Sequence, residues 1–227
     1  MTRILYKYLD ITGAKYMIGK QNLQFTNASQ LNDPFDCHPK LFDSSNVPDS
    51  RAQGVFHKEW QKKIAENDAL NLRNETWLCS LSKVYDSILM WSHYCYNHKG
   101  ICIGLDIDKV LDSVPPMFGT IYLKPFVLDV NYYDIIERPS AYGPSAEQRM
   151  YQWTTKAKEW DWREIRRYLP LKGECFESIY FGINIDPTEK DTIIKYARKK
   201  LNPQINLYQM RVDDNAFKLQ PERCPLK

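Results

Sequence analysis

The stretch Leu89–Asp106, LMWSHYCYNHKGICIGLD, constrains the fold more than any other part of this 227-residue chain. Its second half, Ile101–Leu105, is a short apolar run directly after Gly100, and such a run is typical of a buried strand. Its first half holds two of the four histidines together with aromatic, cysteine and lysine side chains. This combination, just before a buried strand, indicates a site mounted on a rigid element.

Periodicity predicts the other elements. Alternating apolar residues rich in β-formers predict strands over 4–8, 23–26, 77–81, 101–106, 120–123, 126–133, 162–169, 177–183, 204–211 and 216–220. Helical spacing and capping residues predict helices over 12–19, 55–72, 86–94, 145–160 and 187–201. Because the helices lie mostly outside the strand runs, we expect an α+β fold. The prediction is one domain, residues 1–227, with a bent or split, mostly antiparallel sheet flanked by helices.

Composition excludes several classes of protein. The 31 basic and 28 acidic residues give a net charge of +3, which is no broad footprint for nucleic acid. A nucleotide would therefore have to be held locally. No apolar run approaches a membrane span, and the opening residues lack the pattern of a signal peptide. The six cysteines form no C-x-x-C pair, so we expect a cytoplasmic protein with reduced thiols and no membrane partner.

A metal site is the first hypothesis for the histidine stretch. His93, Cys95 and His98 form an H-x-C-x-x-H pattern, and structural zinc needs four ligands. The remaining ligand could come only from Cys37-His38, whose spacing matches no zinc finger. We therefore predict no metal, and His93 is better explained as a hydrogen-bonded structural residue.

Nucleophilic and phosphate-loop chemistry have weaker support. Cys79 and Cys102 lie in predicted strands, where burial makes a thiol inert, whereas Cys95 lies outside them and is free to be exposed. Even so, no group is visible that would orient a base beside Cys95. Lys99-Gly100 belongs to no glycine-rich phosphate loop, because neither G-x-x-x-x-G-K nor G-x-G-x-x-G occurs in the chain.

Two pairs of residues carry the remaining chemistry. Glu164 and Arg166, beside Trp162, form either an ion pair at a sheet surface or a site. In a site, the carboxylate could hydrogen-bond a ribose hydroxyl and stabilise an oxocarbenium ion. Tyr6 and Tyr8 lie two apart on one strand face, which is typical of core packing or of a platform for stacking rings.

Short segments follow one another in a definite order along most of the chain. They are Leu5-Tyr6-Lys7-Tyr8, a strand ending at Phe25, Leu31–Asp36, Leu78–Ser82, Leu89–Tyr94, Asn97–Asp106, Val130-Asn131-Tyr132, the Glu164–Arg166 tract and Ile179–Gly182. In this order they resemble the bacterial family catalogued as domain of unknown function 2971, and the W-S-H-Y and H-K-G segments are the specific ones. That family usually has a second acidic residue where this chain has Trp162, which argues against a mechanism that needs two carboxylates.

Three parts of the chain also resemble, in order, the three-part signature of ADP-ribosyltransferases. They are the opening strand with Tyr6 and Tyr8, the strand with Ser80, and Glu164 late in the chain. This resemblance implies that Tyr6 or Tyr8 holds the NAD ribose, that Ser80 supports the nicotinamide side and that Glu164 is catalytic. It implies an ADP-ribosyltransferase-like fold. The implied catalytic residues are Glu164, Tyr6 and Ser80, and the implied cofactor-binding residues are Tyr8, Asn32, Trp91, His93, His98, Lys99 and Arg166, with His93, His98 and Lys99 on the diphosphate or the acceptor.

The implied function is the transfer of ADP-ribose from NAD to a nucleic acid or a protein, in a toxin or phage-defence setting and with an antitoxin as a partner. Two alternatives stay open at this point. One is a non-catalytic module that binds a nucleotide or a partner through the histidine stretch. The other is a metal-independent hydrolase or nuclease, which the histidines favour.

Overall fold

A computed structural model of the chain describes residues 3–32, 44–46, 54–74, 76–113, 127 and 166–225. The strands are β1 (Ile4–Leu9), β2 (Asn22–Asn27), β3 (Trp77–Leu78), β4 (Ile101–Asp106), β5 (Arg166–Pro170), β6 (Phe176–Phe181), β7 (Asn206–Val212) and β8 (Leu219–Arg223). The helices are α1 (Ile11–Lys20), α2 (Val55–Asn74), α3 (Ile88–Tyr94), α4 (Ile107–Asp112) and α5 (Pro187–Lys200). The strands predicted over 120–133 and the helix predicted over 145–160 lie outside the described residues.

Capping explains where the structure departs from the predicted bounds. Helix α1 begins after Asp10, whose carboxylate accepts a hydrogen bond from the Gly13 amide at 2.6 Å, so Asp10 is the N-cap and the helix starts one residue before the predicted bound. The helix ends at Lys20, and Gln21 caps it in the left-handed conformation with φ of 49°. Helix α4 was not predicted. It begins because the buried Asp106 caps it by accepting from the Lys109 amide.

Contacts divide the chain into two compact units. Unit 1 comprises Met1–Gln24, Cys79–Phe126 and Tyr168–Lys227, and unit 2 comprises Phe25–Leu78 and Val127–Arg167. Within unit 2, the end of β2 pairs antiparallel with β3, placing Thr26 opposite Leu78. The expectation of a single domain stays a prediction.

The main sheet of unit 1 has the strand order β1-β4-β6-β7-β8. The β6–β7 pair is parallel, and the other three pairs are antiparallel. A further three-stranded sheet has the order β3-β2-β5. These mixed, mainly antiparallel sheets with flanking helices confirm the predicted α+β class.

Strand β4 has two different faces. All six of its residues are buried, as expected for the apolar run that follows Gly100. Because side chains alternate along a strand, Ile101, Ile103 and Leu105 share one face, which is purely apolar. Cys102 and Gly104 lie on the other face, and polar side chains of the neighbouring strands gather there.

Candidate functional site

Four residues form one row across four neighbouring strands of unit 1. Tyr6 of β1 lies opposite Gly104 of β4, Gly104 lies opposite Ser178 of β6, and Ser178 lies opposite Asn206 of β7. Residues paired across strands present their side chains on the same face. We call this set the Gly104 row. Its glycine has no side chain, and Ser178 Oγ occupies the space beside the Tyr6 ring that a Cβ at this position would need.

The next row along the same face is aromatic. It consists of Tyr8, Cys102, Tyr180 and Tyr208. Burial raises the pKa of the Tyr8 phenol and the pKa of the Tyr180 phenol. Both phenols are therefore protonated at neutral pH.

A stack of three tyrosine rings covers part of this face. Tyr85 stacks on Tyr180 with ring centroids 4.7 Å apart, and Tyr180 stacks on Tyr208 at 4.9 Å. Tyr6 meets the first two rings edge-on, at 5.4 Å from Tyr85 and 5.9 Å from Tyr180. Tyr6, Tyr85 and Tyr208 are each partly exposed, so the cluster has both a buried and an accessible side. Such a cluster offers flat apolar surfaces with hydroxyl groups at their rims.

A β-bulge brings a carboxylate to the same place. Ser178 pairs with Gly104, but the next residue of β4, Leu105, pairs with Phe176, so Glu177 is the extra residue of the bulge. Simple alternation would place Glu177 on the face opposite Ser178. The bulge instead brings the carboxylate to the Gly104 row.

Two contacts fix the position of the Glu177 carboxylate. Its Oε1 accepts a hydrogen bond from Asn206 Nδ2 at 3.1 Å, and Asn206 Oδ1 in turn accepts from Arg223 Nη2 at 3.3 Å. Its Oε2 lies 3.4 Å from the point that a Cβ on Gly104 would occupy, and Tyr6 Cε1 lies 3.3 Å from that point. The carboxylate and the Tyr6 ring therefore converge at Gly104.

The tyrosine hydroxyls of the cluster stay protonated and can donate hydrogen bonds, whereas the Glu177 carboxylate is the acceptor among them. Burial raises the pKa of Tyr6, and the negative charge of Glu177 raises it further, so this phenol keeps its proton. Ser178 is fully buried, and among the described residues its Oγ has no hydrogen-bond partner. The arrangement combines an oriented carboxylate, protonated phenols and an unpaired hydroxyl.

The predicted serine segment lies beside β1. The backbone N–H groups of Tyr6 and Ser82 each donate to the other residue's carbonyl at 2.8 Å, and Lys7 Nζ donates to the Ser80 carbonyl at 3.0 Å. The Ser80 side chain itself is exposed. The structure therefore places the backbone of Tyr6 beside that of Ser82, and the functional roles of Tyr6 and Ser80 stay predictions.

Trp91 and Tyr8, which the sequence predicts to bind the cofactor, contact other residues of the protein. Trp91 is fully buried and donates from Nε1 to the Tyr85 carbonyl at 2.7 Å. Its ring is edge-on to Tyr8 at 5.4 Å and parallel to His98 at 6.4 Å. Tyr8 donates its hydroxyl to the Val84 carbonyl at 2.9 Å. Both candidate cofactor-binding rings thus contact protein groups, and they fix the position of the tyrosine stack.

The segment Tyr96–Gly100, here called the HKG turn, has an unusual backbone. Three successive residues have positive φ, namely Tyr96 at 47°, Asn97 at 56° and His98 at 64°. The His98 amide donates to the Trp91 carbonyl at 3.1 Å, and the His98 carbonyl accepts from the Asn184 amide at 3.0 Å. Each left-handed residue costs about 1–2 kcal/mol, so these backbone bonds hold a strained conformation.

The side chains of the HKG turn, and that of the nearby His93 in α3, have different surroundings. His98 Nδ1 is buried without a partner among the described residues, and burial lowers the pKa of the imidazole, which favours its neutral form. His93 and Lys99 are exposed, and Lys99 Nζ lies over the Tyr96 ring at 5.6 Å. Lys99 also lines a hollow of about 250 Å³ at the start of α1. Four residues of β4, roughly 13 Å, separate this end from the Gly104 row.

Other predicted residues are placed as follows. Asn32 is exposed in unit 2, Arg166 is the first residue of β5, and Glu164 lies outside the described residues. Their functional assignments stay predictions. The described ranges contain no group of three or more side chains that could hold a metal ion.

Cys95 differs from what the sequence suggested. It is fully buried, and its thiol donates to the Ile101 carbonyl at 3.3 Å, whereas the sequence allowed it to be exposed. Burial raises the pKa of this thiol to about 12, so it is not a ready nucleophile. The five cysteines in the described ranges are all free.

Sequence reasoning missed Glu177, Ser178 and Asn206. Glu177 and Ser178 lie within a run that the sequence predicts as an ordinary strand, and only the register shift reveals that both reach one face. A signal was present in Gly104, since a glycine inside an apolar strand often marks a bulge or a close approach.

Comparison with known proteins gives one family. Residues 90–218, more than half of the chain, match the family model described as protein of unknown function (DUF2971). Searches of curated proteins and of solved structures returned no match. The matched range includes the HKG turn, β4 and Glu177. Within the described part of the chain, no helix is both long and apolar enough to cross a membrane.

Proposed function

The chain belongs to the DUF2971 family, and from that premise we propose that it is an ADP-ribosyltransferase-like enzyme. It binds NAD on the face of the main sheet that carries Tyr6, Tyr180 and Tyr208, here called the tyrosine face. The observation that supports this most is the position of Tyr6. It lies between the backbone of the serine segment, at Ser82, and the stacked rings of Tyr85 and Tyr180. The first-strand tyrosine and the serine segment are two of the three parts of the transferase signature.

The tyrosine face suits the nicotinamide half of NAD. A flat heteroaromatic ring gains from offset or edge-on contact with aromatic side chains. The protonated phenol of Tyr6 can donate a hydrogen bond to the ribose or to the carboxamide. The face therefore offers both a stacking surface and an oriented donor.

The proposed reaction breaks the bond between C1′ of the ribose and the nicotinamide nitrogen. The electron pair of that bond leaves with nicotinamide, which becomes neutral, and the ribose carries the positive charge of an oxocarbenium ion. A nucleophile on the acceptor, or water, then forms the new bond to C1′ and releases its proton to solvent. A carboxylate stabilises the developing charge, and the resemblance assigns this role to Glu164.

The acceptor class follows from the same resemblance. We propose a nucleic acid or a protein as the acceptor, in a toxin or phage-defence setting with an antitoxin as a partner. The net charge of +3 is small. A nucleic-acid acceptor would therefore be held by local contacts, and its binding would depend little on salt compared with that of strongly basic proteins.

Incubation of the full chain with labelled NAD tests the proposal. Release of nicotinamide and transfer of label to DNA, RNA or protein are the expected results. Tyr6→Phe removes one hydroxyl and should slow nicotinamide release by about 10-fold, a typical loss for one hydrogen bond in a transition state. Tyr94→Phe, which changes an exposed tyrosine, is the matched control and should behave as the wild type.

Two results would contradict the transferase. Folded protein that neither binds nor cleaves NAD removes the proposal altogether. Protein that binds NAD without cleaving it, in the presence of every acceptor class, instead supports the non-catalytic nucleotide-binding module.

A further inference from the structure

Some polar atoms in and beside the Gly104 row form no hydrogen bond within the described part of the chain. Glu177 Oε1 is held by Asn206, but in the described part of the chain no group donates a hydrogen bond to Oε2. No described lysine, arginine or histidine forms an ion pair with Glu177 either. Glu177 is only partly buried and solvent reaches Oε2, so this oxygen is available to accept a hydrogen bond from a ligand.

The second polar group of this kind is the Ser178 hydroxyl. It occupies the space that a side chain at position 104 would fill, because a Cβ there would collide with Ser178 Oγ. Its residue is fully buried, and among the described residues the hydroxyl forms no hydrogen bond of good geometry, although burial raises the pKa of the Tyr180 phenol and its interaction with this hydroxyl lowers that pKa in part. Buried polar groups in folded proteins are normally paired, so a buried hydroxyl without a well-formed hydrogen bond, next to an accessible carboxylate oxygen, points to a polar site that a ligand completes.

The bulge gives the carboxylate a definite orientation. It places Glu177 on the same face as Ser178, and the chain of hydrogen bonds from Arg223 through Asn206 holds one of its oxygens. Bulges beside functional sites commonly re-aim one side chain in this way. The remaining oxygen, Oε2, therefore points to a fixed location next to the Tyr6 ring.

The chemistry of the ligand follows from this geometry. An ionised carboxylate only accepts hydrogen bonds, so its partner must be a donor. The Tyr85–Tyr180–Tyr208 stack beside it favours a ligand that joins a flat ring to that donor. A ribose attached to a heteroaromatic base has both parts, with two neighbouring hydroxyls that can donate to one carboxylate.

We infer that Glu177 is a specificity-determining residue whose Oε2 accepts hydrogen bonds from the ribose hydroxyls of the bound nucleotide. Asn206 is the positioning residue that holds the carboxylate for this contact. The inference rests on the proposed function for the identity of the nucleotide. It concerns recognition of the sugar, whereas stabilisation of the developing charge stays with Glu164.

A comparison of two ligands tests the inference. The probes are NAD and an analogue that lacks the 2′-hydroxyl on the nicotinamide ribose, and binding is measured by calorimetry. The wild type should bind NAD about 30-fold more tightly than the analogue, since a hydroxyl bound to a charged group contributes strongly. Glu177→Gln, which keeps the size of the side chain, should reduce that ratio to about 2-fold.

Two further variants separate recognition from folding. Glu174→Gln removes an exposed carboxylate of the same unit, which lies 3.8 Å from Lys172, and should keep the wild-type ratio. Asn206→Ala should give an intermediate ratio, because it frees the carboxylate without removing it. Thermal unfolding of every variant shows whether the altered binding belongs to a folded protein.

The outcomes distinguish the two proposals. If the wild type has no affinity for NAD, the proposed function fails, and the sugar contact fails with it. If the wild type binds NAD but Glu177→Gln discriminates against the analogue as strongly as the wild type, the role of Glu177 is overturned while NAD binding stands.

Discussion

The HKG turn and the Gly104 row lie at opposite ends of β4 and use their polar groups in different ways. The turn uses backbone groups: its His98 carbonyl accepts from Asn184, and the Gly100 carbonyl accepts from the Gly182 amide. The row instead gathers polar side chains on one face of the sheet, namely the Glu177 carboxylate, the buried Ser178 hydroxyl and the Tyr6 phenol. Within the described residues, the buried side-chain atom of the turn that has no partner is His98 Nδ1. The turn is the part of the chain that a sequence motif identifies, and the row is the part to which we assign ligand binding in our proposal.

This difference shows that a family-specific sequence motif can be needed to build the fold. Three successive left-handed residues are difficult to build, so few sequences can form the HKG turn. Its histidine ring packs parallel to the buried Trp91 and favours the neutral form. The turn therefore fixes the start of β4, and the register of β4 in turn places Gly104 between Tyr6 and Ser178.

The largest effect should come from Gly182→Ala. A Cβ on Gly182 would collide with the carbonyl group of His98 and would approach the Gly100 carbonyl oxygen to 3.0 Å. These are backbone atoms of a strained turn, so they cannot move aside. We expect the free energy of unfolding, measured with denaturant, to fall by about 3 kcal/mol or more.

The control for this variant is Gly13→Ala in α1. There the nearest atom to a new Cβ is Asp10 Oδ1 at 3.1 Å, which belongs to a side chain. Alanine also favours a helix over glycine, so the change in stability should stay within about 1 kcal/mol. If Gly182→Ala were as stable as this control, the turn would not be the rigid element described above.

Gly104→Ala should have a smaller effect that a second substitution reverses. The new Cβ would collide with Ser178 Oγ, the end of a small side chain, and we expect a loss of about 1.5 kcal/mol. Ser178→Ala removes that oxygen, so the double variant should recover more than half of the loss. Denaturant unfolding of the two single variants and the double variant forms the thermodynamic cycle. Additive losses would mean that Gly104 and Ser178 do not share this space.

Much of the fold was predictable because periodicity and capping act locally. The apolar run after Gly100 gave β4, and Pro187 at the start of a helical pattern gave α5. Helix α4 was missed because its six residues follow β4 without an intervening loop. Its N-cap, Asp106, is also the last residue of that strand.

The candidate site was only partly predictable, for a physical reason. Tyr6 and the serine segment could be named because each belongs to a recognisable pattern, and they are neighbours in the structure. Glu177 could not, because strand alternation assigns it to the face opposite Ser178. A bulge depends on how two strands pair, and the residues of one strand do not determine that pairing.

The smallest expected effect is a pH dependence of stability at the HKG turn. Burial lowers the pKa of His98 below the ordinary value of about 6.5. As pH falls, the unfolded chain therefore takes up a proton at this residue before the folded chain does. The contribution to stability is complete above about pH 6.5 and is lost as the pH drops through the lower pKa of the folded state.

His98→Gln should therefore flatten the dependence of unfolding free energy on pH between about pH 7 and pH 5. His93→Gln, which removes an exposed histidine of α3, is matched for the loss of one imidazole. Denaturant unfolding at several pH values gives the slope for each variant, and the slope should fall more in His98→Gln than in His93→Gln. Equal slopes would mean that the His98 imidazole is solvated alike in both states, and the turn would then be more open than its contact with Trp91 indicates.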